Sequence, residues 1–175
     1  MWYNKRMKKL LRNLVVVLVM FGMSGIGGVK VSAITSEKEA LIVEKCDKIK
    51  ESLTNLQHND SRLRVYLGRR YETIITNYIK PLNVSLVENN LSTTAFINNQ
   101  NNFVAARQNF VIDFIEYQKA LEELVASDCK HEPANFYEKL ETTRARRKSV
   151  ADDVSKLWKL GVEQVSLATG LEGEL

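Results

Sequence analysis

The chain has 175 residues, of which 45% are hydrophobic and 26% are charged, and its formal net charge is +4. Six of its Lys and Arg residues lie in residues 1–33, which contain no acid, so the remaining 19 basic and 21 acidic residues carry a net charge of −2. The chain after residue 33 is long enough for one domain with its own core, and its acidic balance argues against nucleic-acid binding.

The N-terminal segment has the three parts of a secretory signal peptide. Basic residues between Lys5 and Arg12 precede an apolar run from Leu14 to Val29, and Val31-Ser32-Ala33 places small residues at the cleavage positions. The alternative is an uncleaved membrane anchor, but the run contains four glycines and is shorter than the roughly 20 apolar residues of a spanning helix. We expect cleavage after Ala33 and an exported protein in the periplasm, at the cell surface or outside the cell. The membrane is then contacted only through the signal peptide.

Two prolines divide the rest of the chain into three helical segments, because proline does not continue a helix interior. With Pro81 and Pro133 as breaks, the sequence predicts helices over about 36–79, 92–126 and 134–167, joined by a linker over 81–91 and followed by a flexible tail, 169–175. Ser36 and Glu39 have the spacing of a capping box at the first helix. The predicted domain therefore spans residues 34–168.

The first helix has a heptad pattern of apolar residues. Its positions are Ile42, Cys46, Ile49, Leu53, Leu56, Leu63, Leu67 and Ile74. The weak point is His58–Ser61, four poor helix formers that include Asp60 at a core position. The helix either continues through this stretch or breaks there; the heptad phase favours one continuous helix.

The other two helices carry comparable stripes. The second has Phe96, Phe103, Phe110, Phe114, Tyr117, Leu121 and Leu124 in one phase. The third has Phe136, Leu140, Val150, Val154 and Leu157, supported by Trp158 and Val165. Aromatic residues at helical spacing form a core far more often than a ligand site. Because short connections make consecutive helices antiparallel, the predicted fold is all-α, an elongated, coiled-coil-like antiparallel three-helix bundle.

Cys46 and Cys129 are the only cysteines, and an exported chain with an even number favours a disulfide. Antiparallel pairing of a continuous first helix with the second places Cys129 within one turn of Cys46, whereas a reversal at residues 58–60 would separate them. The alternative is two buried, unpaired thiols. The same alignment places Arg147 near Asp60 and predicts a buried polar pair. Arg107 also falls at a core position, without an assignable partner.

The residues offer little catalytic chemistry. His58 and His131 are the only histidines, and Cys129-Lys130-His131 lacks the second cysteine of a metal or haem motif. No phosphate-binding loop, nucleophile elbow or Glu-x-x-His pair is present in the sequence. We therefore expect a protein that is not an enzyme, with no catalytic residue, no cofactor and no metal site.

The sequence resembles a group of uncharacterised exported two-cysteine helical proteins of candidate-phyla bacteria (Patescibacteria/Saccharibacteria-like). The features that carry the resemblance are the signal peptide, Cys46 in a heptad helix, the segment Arg62–Leu67, and a second cysteine in the segment Cys129–Leu140. The resemblance implies an exported, helical, disulfide-bonded protein and no particular activity.

These features together predict a non-catalytic structural or protein-interaction protein of the cell envelope. Its expected partners are proteins, including a second copy of the chain. A periplasmic, chaperone-like module that binds client proteins is the alternative. Apolar residues near the first turn are the expected place for self-association, namely Leu82, Leu86, Val87 and Ile97.

Overall fold

The computed structural model describes residues 34–171, so the predicted signal peptide and the last four residues of the predicted tail lie outside the described part. The described part is all-α. Its helices are α1 (Ser36–Ile74), a π-helical segment (Ile75–Ile79), α2 (Lys80–Glu88), α3 (Thr94–Ala126) and α4 (Pro133–Leu171).

α1, the π-helical segment and α2 follow one another without an interruption, so they form one helical rod on the order of 80 Å long. α3 runs back along this rod, and α4 reverses again. α3 and α4 pack together along their length, whereas α1 packs mainly against α3. We call the end with the α3–α4 loop (residues 127–132) the disulfide end, and the end with the α2–α3 turn (residues 89–93) the turn end. The predicted all-α bundle is confirmed.

α1 continues through residues 58–61, as the heptad phase favours. Its N-terminus, however, differs from the predicted capping box. Thr35 is the N-cap, and its hydroxyl accepts a hydrogen bond from the backbone N–H of Lys38 at 3.4 Å. An N-cap residue has an extended backbone, which directs its side chain at the unpaired amides of the first turn. Thr35 has this conformation, so Ser36 lies inside the first turn.

The prediction that the first helix ends near residue 79 is wrong. Pro81 has no N–H to donate and its ring would clash with the carbonyl four residues earlier. The π-helical segment immediately before it accommodates the proline: the N–H of Lys80 bonds to the carbonyl of Ile75, five residues back. Residues expected to form a linker therefore remain helical to Glu88.

The helix ends instead at two asparagines. Asn90 has a left-handed backbone (φ 58°), and the N–H of Asn90 bonds to the carbonyl of Val87 at 3.1 Å. The N–H of Leu91 bonds to the carbonyl of Leu86 at 3.0 Å. These two bonds form a Schellman motif, which satisfies carbonyls at the helix end.

The π-helical segment also shifts the apolar face of the rod. Ile74, predicted as a core position, is only half-buried, whereas Tyr71, Ile75 and Ile79 are buried. A π-turn holds one more residue than an α-turn. Steps of four residues therefore replace the alternating three and four of the heptad in this region.

α4 begins at Pro133, as expected for a proline in a first turn, but continues to Leu171 rather than ending near residue 167. The Asn135 side chain donates a hydrogen bond to the carboxylate of Glu132, just before the helix. Trp158 and Val165 were expected to support the core, yet they are 57% and 63% exposed. The reason is their place on the helix: each follows a core-facing position by one residue and so points about 100° away from it.

The aromatic stripe of α3 forms the centre of the core. Phe103, Phe110, Phe114 and Tyr117 are buried, and neighbouring rings meet edge to face. Tyr71 joins them from α1, with its ring centroid 5.3 Å from that of Phe110. Edge-to-face contacts add to the burial of apolar area. The aromatic stripe of α3 is therefore part of the core, as expected.

Candidate interaction surface

The two cysteines meet at the disulfide end. Cys46 and Cys129 form a disulfide with a Cα–Cα distance of 5.6 Å, and both are buried. The loop beside them is closed by Asp128, whose carboxylate accepts hydrogen bonds from the backbone N–H groups of Lys130 and His131. The His131 side chain contacts the same carboxylate at 2.7 Å. These bonds, that of the His131 side chain first, lower the pKa of Asp128 to about 2. His131 thus has a structural partner in this loop.

Asp60 and Arg147 are brought together across the bundle. The Arg147 Nε lies 3.4 Å from Asp60 Oδ2, and Asp60 is only 6% exposed. Tyr117 is a third member that the sequence did not reveal: its hydroxyl donates a hydrogen bond to Asp60 at 2.7 Å. Burial, and then the neighbouring Asp60 carboxylate, raise the pKa of Tyr117. The contact joins α1, α3 and α4 in a hydrogen-bonded core layer without making a catalytic group accessible.

Arg107 also has a partner. Its guanidinium lies 2.7 Å from the carboxylate of Glu72 on α1. The sequence did not indicate this pairing, because Glu72 does not occupy one of the heptad positions of the first helix.

A pair of carboxylates lies between α3 and α4. Burial raises the pKa of Asp153 to about 6, and the charge of Asp113 and a hydrogen bond with it act in the same direction. Tyr71 lies nearby, and its pKa is raised to about 12, by burial first and then by the charge of Asp153. Two carboxylates between helices suit a shared proton better than a metal. The described residues contain no group of three or more His, Cys, Asp or Glu side chains that could hold an ion.

The turn end differs in composition from the rest of the bundle. Residues 74–105 contain only two charged residues, Lys80 and Glu88, and eight asparagines. Asn83 on α2 contacts Phe96 and Gln100 on α3, and Asn99 contacts Leu160 on α4. These contacts place the uncharged stretch beside the C-terminal part of α4.

Exposed apolar side chains collect at this end. Half of the large hydrophobic residues that are exposed in the described chain lie there, and we call them the turn-end apolar surface: Tyr78, Val84, Val87, Ile97, Trp158, Val162 and Val165. The three residues from α4 have the spacing of one helical stripe.

The four residues predicted for self-association divide into two pairs. Val87 and Ile97 are 58% and 40% exposed and belong to this surface, whereas Leu86 is buried and Leu82 half-buried. Leu86 is withdrawn from solvent because α2 continues the apolar face of α1 instead of forming a linker.

Buried amides lie beneath this surface. Asn99 Nδ2 donates to the carbonyl of Leu160 at 3.2 Å, and Asn83 Nδ2 donates to Gln100 at 2.8 Å. The side-chain oxygens of Asn83 and Asn99, and both polar atoms of Gln164, are buried without a hydrogen-bond partner in the described part of the protein. Such groups lower stability by about 1–3 kcal/mol each. The turn end is therefore packed less favourably than the disulfide end.

A second surface lies on the outer face of α1, away from α3 and α4. Long side chains form a shallow open groove there, with Arg62, Tyr66, Arg69 and Arg70 among its lining residues. The groove has a basic character, because three of its lining residues are arginines.

No helix among the described residues is long and apolar enough to cross a membrane. No protein-family model, curated protein or solved structure matches this chain. The candidate sites therefore depend on the chemistry and positions of this chain's own residues.

Proposed function

We propose that the protein is an exported, non-catalytic helical protein of the cell envelope that binds a protein partner through the turn-end apolar surface. The observation that carries the proposal is the coincidence of exposed apolar side chains with a nearly uncharged stretch of chain. The central part of a protein interface is poor in charge and rich in aromatic residues. Trp158 and Tyr78 have this character.

The energetic reason is the cost of leaving this surface in water. Apolar surface removed from water stabilises an association by about 25 cal/mol per Å². Soluble monomers rarely expose large contiguous apolar patches unless the patch has a binding role. Export is supported by the N-terminal segment and by the buried disulfide, since such bonds persist mainly in oxidising compartments.

Site-specific photocrosslinking tests the proposed surface. A photoreactive amino acid replaces Val162 in the turn-end apolar surface, and in a matched variant it replaces Ala145, an exposed residue of the same helix towards the disulfide end. Cells expressing the chain are irradiated, and the products are separated by size. We expect one discrete heterologous product from position 162 and none from position 145. Equal labelling at both positions, or no product at either, would contradict the proposal.

Export is tested separately. The full chain is expressed in a bacterium with an active export pathway, and the intact mass is measured in each cell fraction. The expected product lies outside the cytoplasm and begins after Ala33. A chain that remains in the cytoplasm with its first 33 residues would refute this part of the proposal.

The alternative function is a chaperone-like module that binds many clients, and the same apolar surface favours it. The two functions differ in selectivity. A chaperone suppresses aggregation of unrelated unfolded proteins at near-equimolar amounts, and Trp158→Asp with Val165→Asp abolishes the effect. A partner-specific protein leaves the aggregation unchanged. Light scattering of a reduced, aggregating test protein distinguishes these outcomes.

A further inference from the structure

The outer face of α1 is divided by charge. Towards the disulfide end it carries Glu37, Glu44 and Glu51, one in every seven residues, and towards the turn end it carries Arg62 and Arg69, also seven residues apart. All five side chains are exposed. Residues at seven-residue intervals share one face of a helix. Arg62 follows Glu51 by eleven residues, about three turns, so the arginines lie on nearly the same face as the glutamates and the five residues form a single stripe. Lys48 lies beside the acidic half, between Glu44 and Glu51.

The α1 helix itself places no acid beside Arg62 and Arg69. Only two acids occur in residues 52–73, and both are directed at other helices: Asp60 contacts Arg147, and Glu72 contacts Arg107. The two arginines are also part of the groove, to which Val65 and Tyr66 contribute exposed apolar area.

We infer that this stripe pairs two copies of the chain in antiparallel orientation. When α1 of a second copy runs antiparallel to the first, Arg62 of one copy lies opposite Glu51 of the other, and Arg69 lies opposite Glu44. The two contacts form together because the two arginines are as far apart along the helix as the two glutamates, about 10.5 Å. The twofold axis passes beside Asn55 and His58. Two-fold symmetry repeats each contact, giving four Glu–Arg pairs in a self-complementary interface.

The orientation follows from the order of the charges. A parallel pair of stripes would place arginine against arginine and glutamate against glutamate, which is unfavourable. The antiparallel arrangement alone brings unlike charges together on both halves. Glu44 also contacts Lys45 in its own helix, so the pairing adds a second cation to a carboxylate that remains in solvent.

Exposed ion pairs contribute little individually and are screened by salt. The expected dimer is therefore of moderate affinity and strongly dependent on ionic strength. It uses a surface distinct from the turn end, so the proposed partner site remains accessible in the dimer.

Sedimentation velocity on the chain recovered from an exporting host tests the pairing. Wild-type protein is compared with Arg62→Glu/Arg69→Glu, whose stripe is entirely acidic, and with Glu44→Arg/Glu51→Arg, whose stripe is basic except at Glu37. We expect a dimer at about 50 mM NaCl, a dissociation constant at least about tenfold higher at about 500 mM NaCl, and monomers for each variant alone. An equimolar mixture of the two variants should restore dimers as heterodimers.

Circular dichroism and thermal unfolding of each variant identify loss of folding, and the heterodimer in the mixture shows that both variants remain competent. A wild-type monomer up to about 0.2 mM at low salt would overturn the inference. So would a dimer that both charge-reversal variants retain and that Trp158→Asp disrupts, since that dimer would use the turn end. Binding of the wild type to anionic phosphatidylglycerol vesicles, lost in Arg62→Glu/Arg69→Glu without any dimer, would assign the stripe to lipid instead.

Discussion

The two ends of the bundle differ in how regularly their side chains pack. At the disulfide end, heptad residues of α1 meet α3, and Cys46–Cys129 joins the first helix covalently to the loop between the other two. At the turn end, a π-helical segment, a proline and several buried amides interrupt regular packing, and apolar side chains remain in solvent.

The difference indicates where stability and where binding reside. Features that lower stability persist at functional sites when the surrounding structure compensates for them. Here the compensation comes from the disulfide and from the aromatic layer between Tyr71 and Tyr117. The disulfide end can thus maintain the fold while the turn end keeps a surface that a partner would cover.

Removal of the disulfide should have the largest effect. The bond links residues 83 positions apart, and the chain-entropy model gives an upper stabilisation of about 4–5 kcal/mol for a loop of that length. Cys46→Ser/Cys129→Ser should lower the free energy of unfolding, measured by urea denaturation, by up to this amount. Hydrogen exchange should then increase first in the N-terminal part of α1, where the bond is the principal link between α1 and the α3–α4 loop.

An increase in exchange confined to residues 74–105 would contradict the contrast, because it would mean that the disulfide supports the turn end. The reduced wild-type protein is the matched control. It removes the bond without introducing serine hydroxyls into buried positions, so agreement between it and the double variant isolates the contribution of the covalent link.

Replacement of Gln164 should raise the free energy of unfolding, whereas removal of the disulfide lowers it. Gln164 is 7% exposed, and neither polar atom of its side chain has a hydrogen-bond partner. Because Gln164→Leu removes this desolvation penalty and adds apolar contact, we expect an increase in the free energy of unfolding of about 1–2 kcal/mol. Asn99→Leu is the control. It removes the bond to the Leu160 carbonyl and should stabilise less or destabilise. A loss of stability in Gln164→Leu would show that the amide is satisfied.

The sequence was sufficient for those parts of the fold that depend on periodicity. The continuity of α1 through residues 58–61, the core role of the α3 aromatics and the proximity of Asp60 to Arg147 all follow from which residues share a helix face. The disulfide could be predicted even though the end of the first helix was misplaced. Cys46 lies far from the turn, in a region where the heptad phase fixes which face meets α3.

The parts that could not be predicted depend on local backbone geometry. A proline normally ends a helix, and the sequence does not reveal that a π-turn will absorb it, as residues 75–79 do. Next to that turn Tyr71 and Ile75 are buried while Ile74 is only half-buried, and Glu72 pairs with Arg107. The exposure of Trp158 was missed because periodicity identifies a stripe but not its width: Trp158 directly follows the buried Leu157 and lies outside the stripe.

The carboxylate pair predicts a pH dependence. The pKa of Asp153 is about 6 in the folded protein against an ordinary value of 3.8, so the folded state binds more protons between these values. Its contribution to stability is therefore full below about pH 4 and is lost as the pH rises through 6. Asp153→Asn should raise the free energy of unfolding at pH 7.5 by about 1 kcal/mol, a figure reduced for partial solvent screening. The difference should disappear below about pH 4.

Urea denaturation at several pH values measures this dependence. Asp152→Asn is the matched control, since Asp152 is an exposed neighbour with only a minor influence on Asp153. Asp113→Asn should reproduce most of the effect, because it removes the charge that opposes ionisation of Asp153. A profile for Asp153→Asn that runs parallel to the wild type from pH 4 to 7.5 would refute the shared-proton pair.

The smallest effect concerns the end of the α1–α2 rod. Asn90 adopts φ 58°, a conformation that glycine reaches without steric cost, whereas Asn89 has φ −93°. Asn90→Gly should therefore stabilise the protein by about 0.5 kcal/mol, and Asn89→Gly should destabilise it by a similar amount, because it only adds freedom to the unfolded chain. Thermal unfolding of the two variants measures opposite shifts of the midpoint. Shifts of the same sign would mean that the Schellman motif does not end the rod, and α2 would then extend beyond the turn end instead of returning the chain into α3.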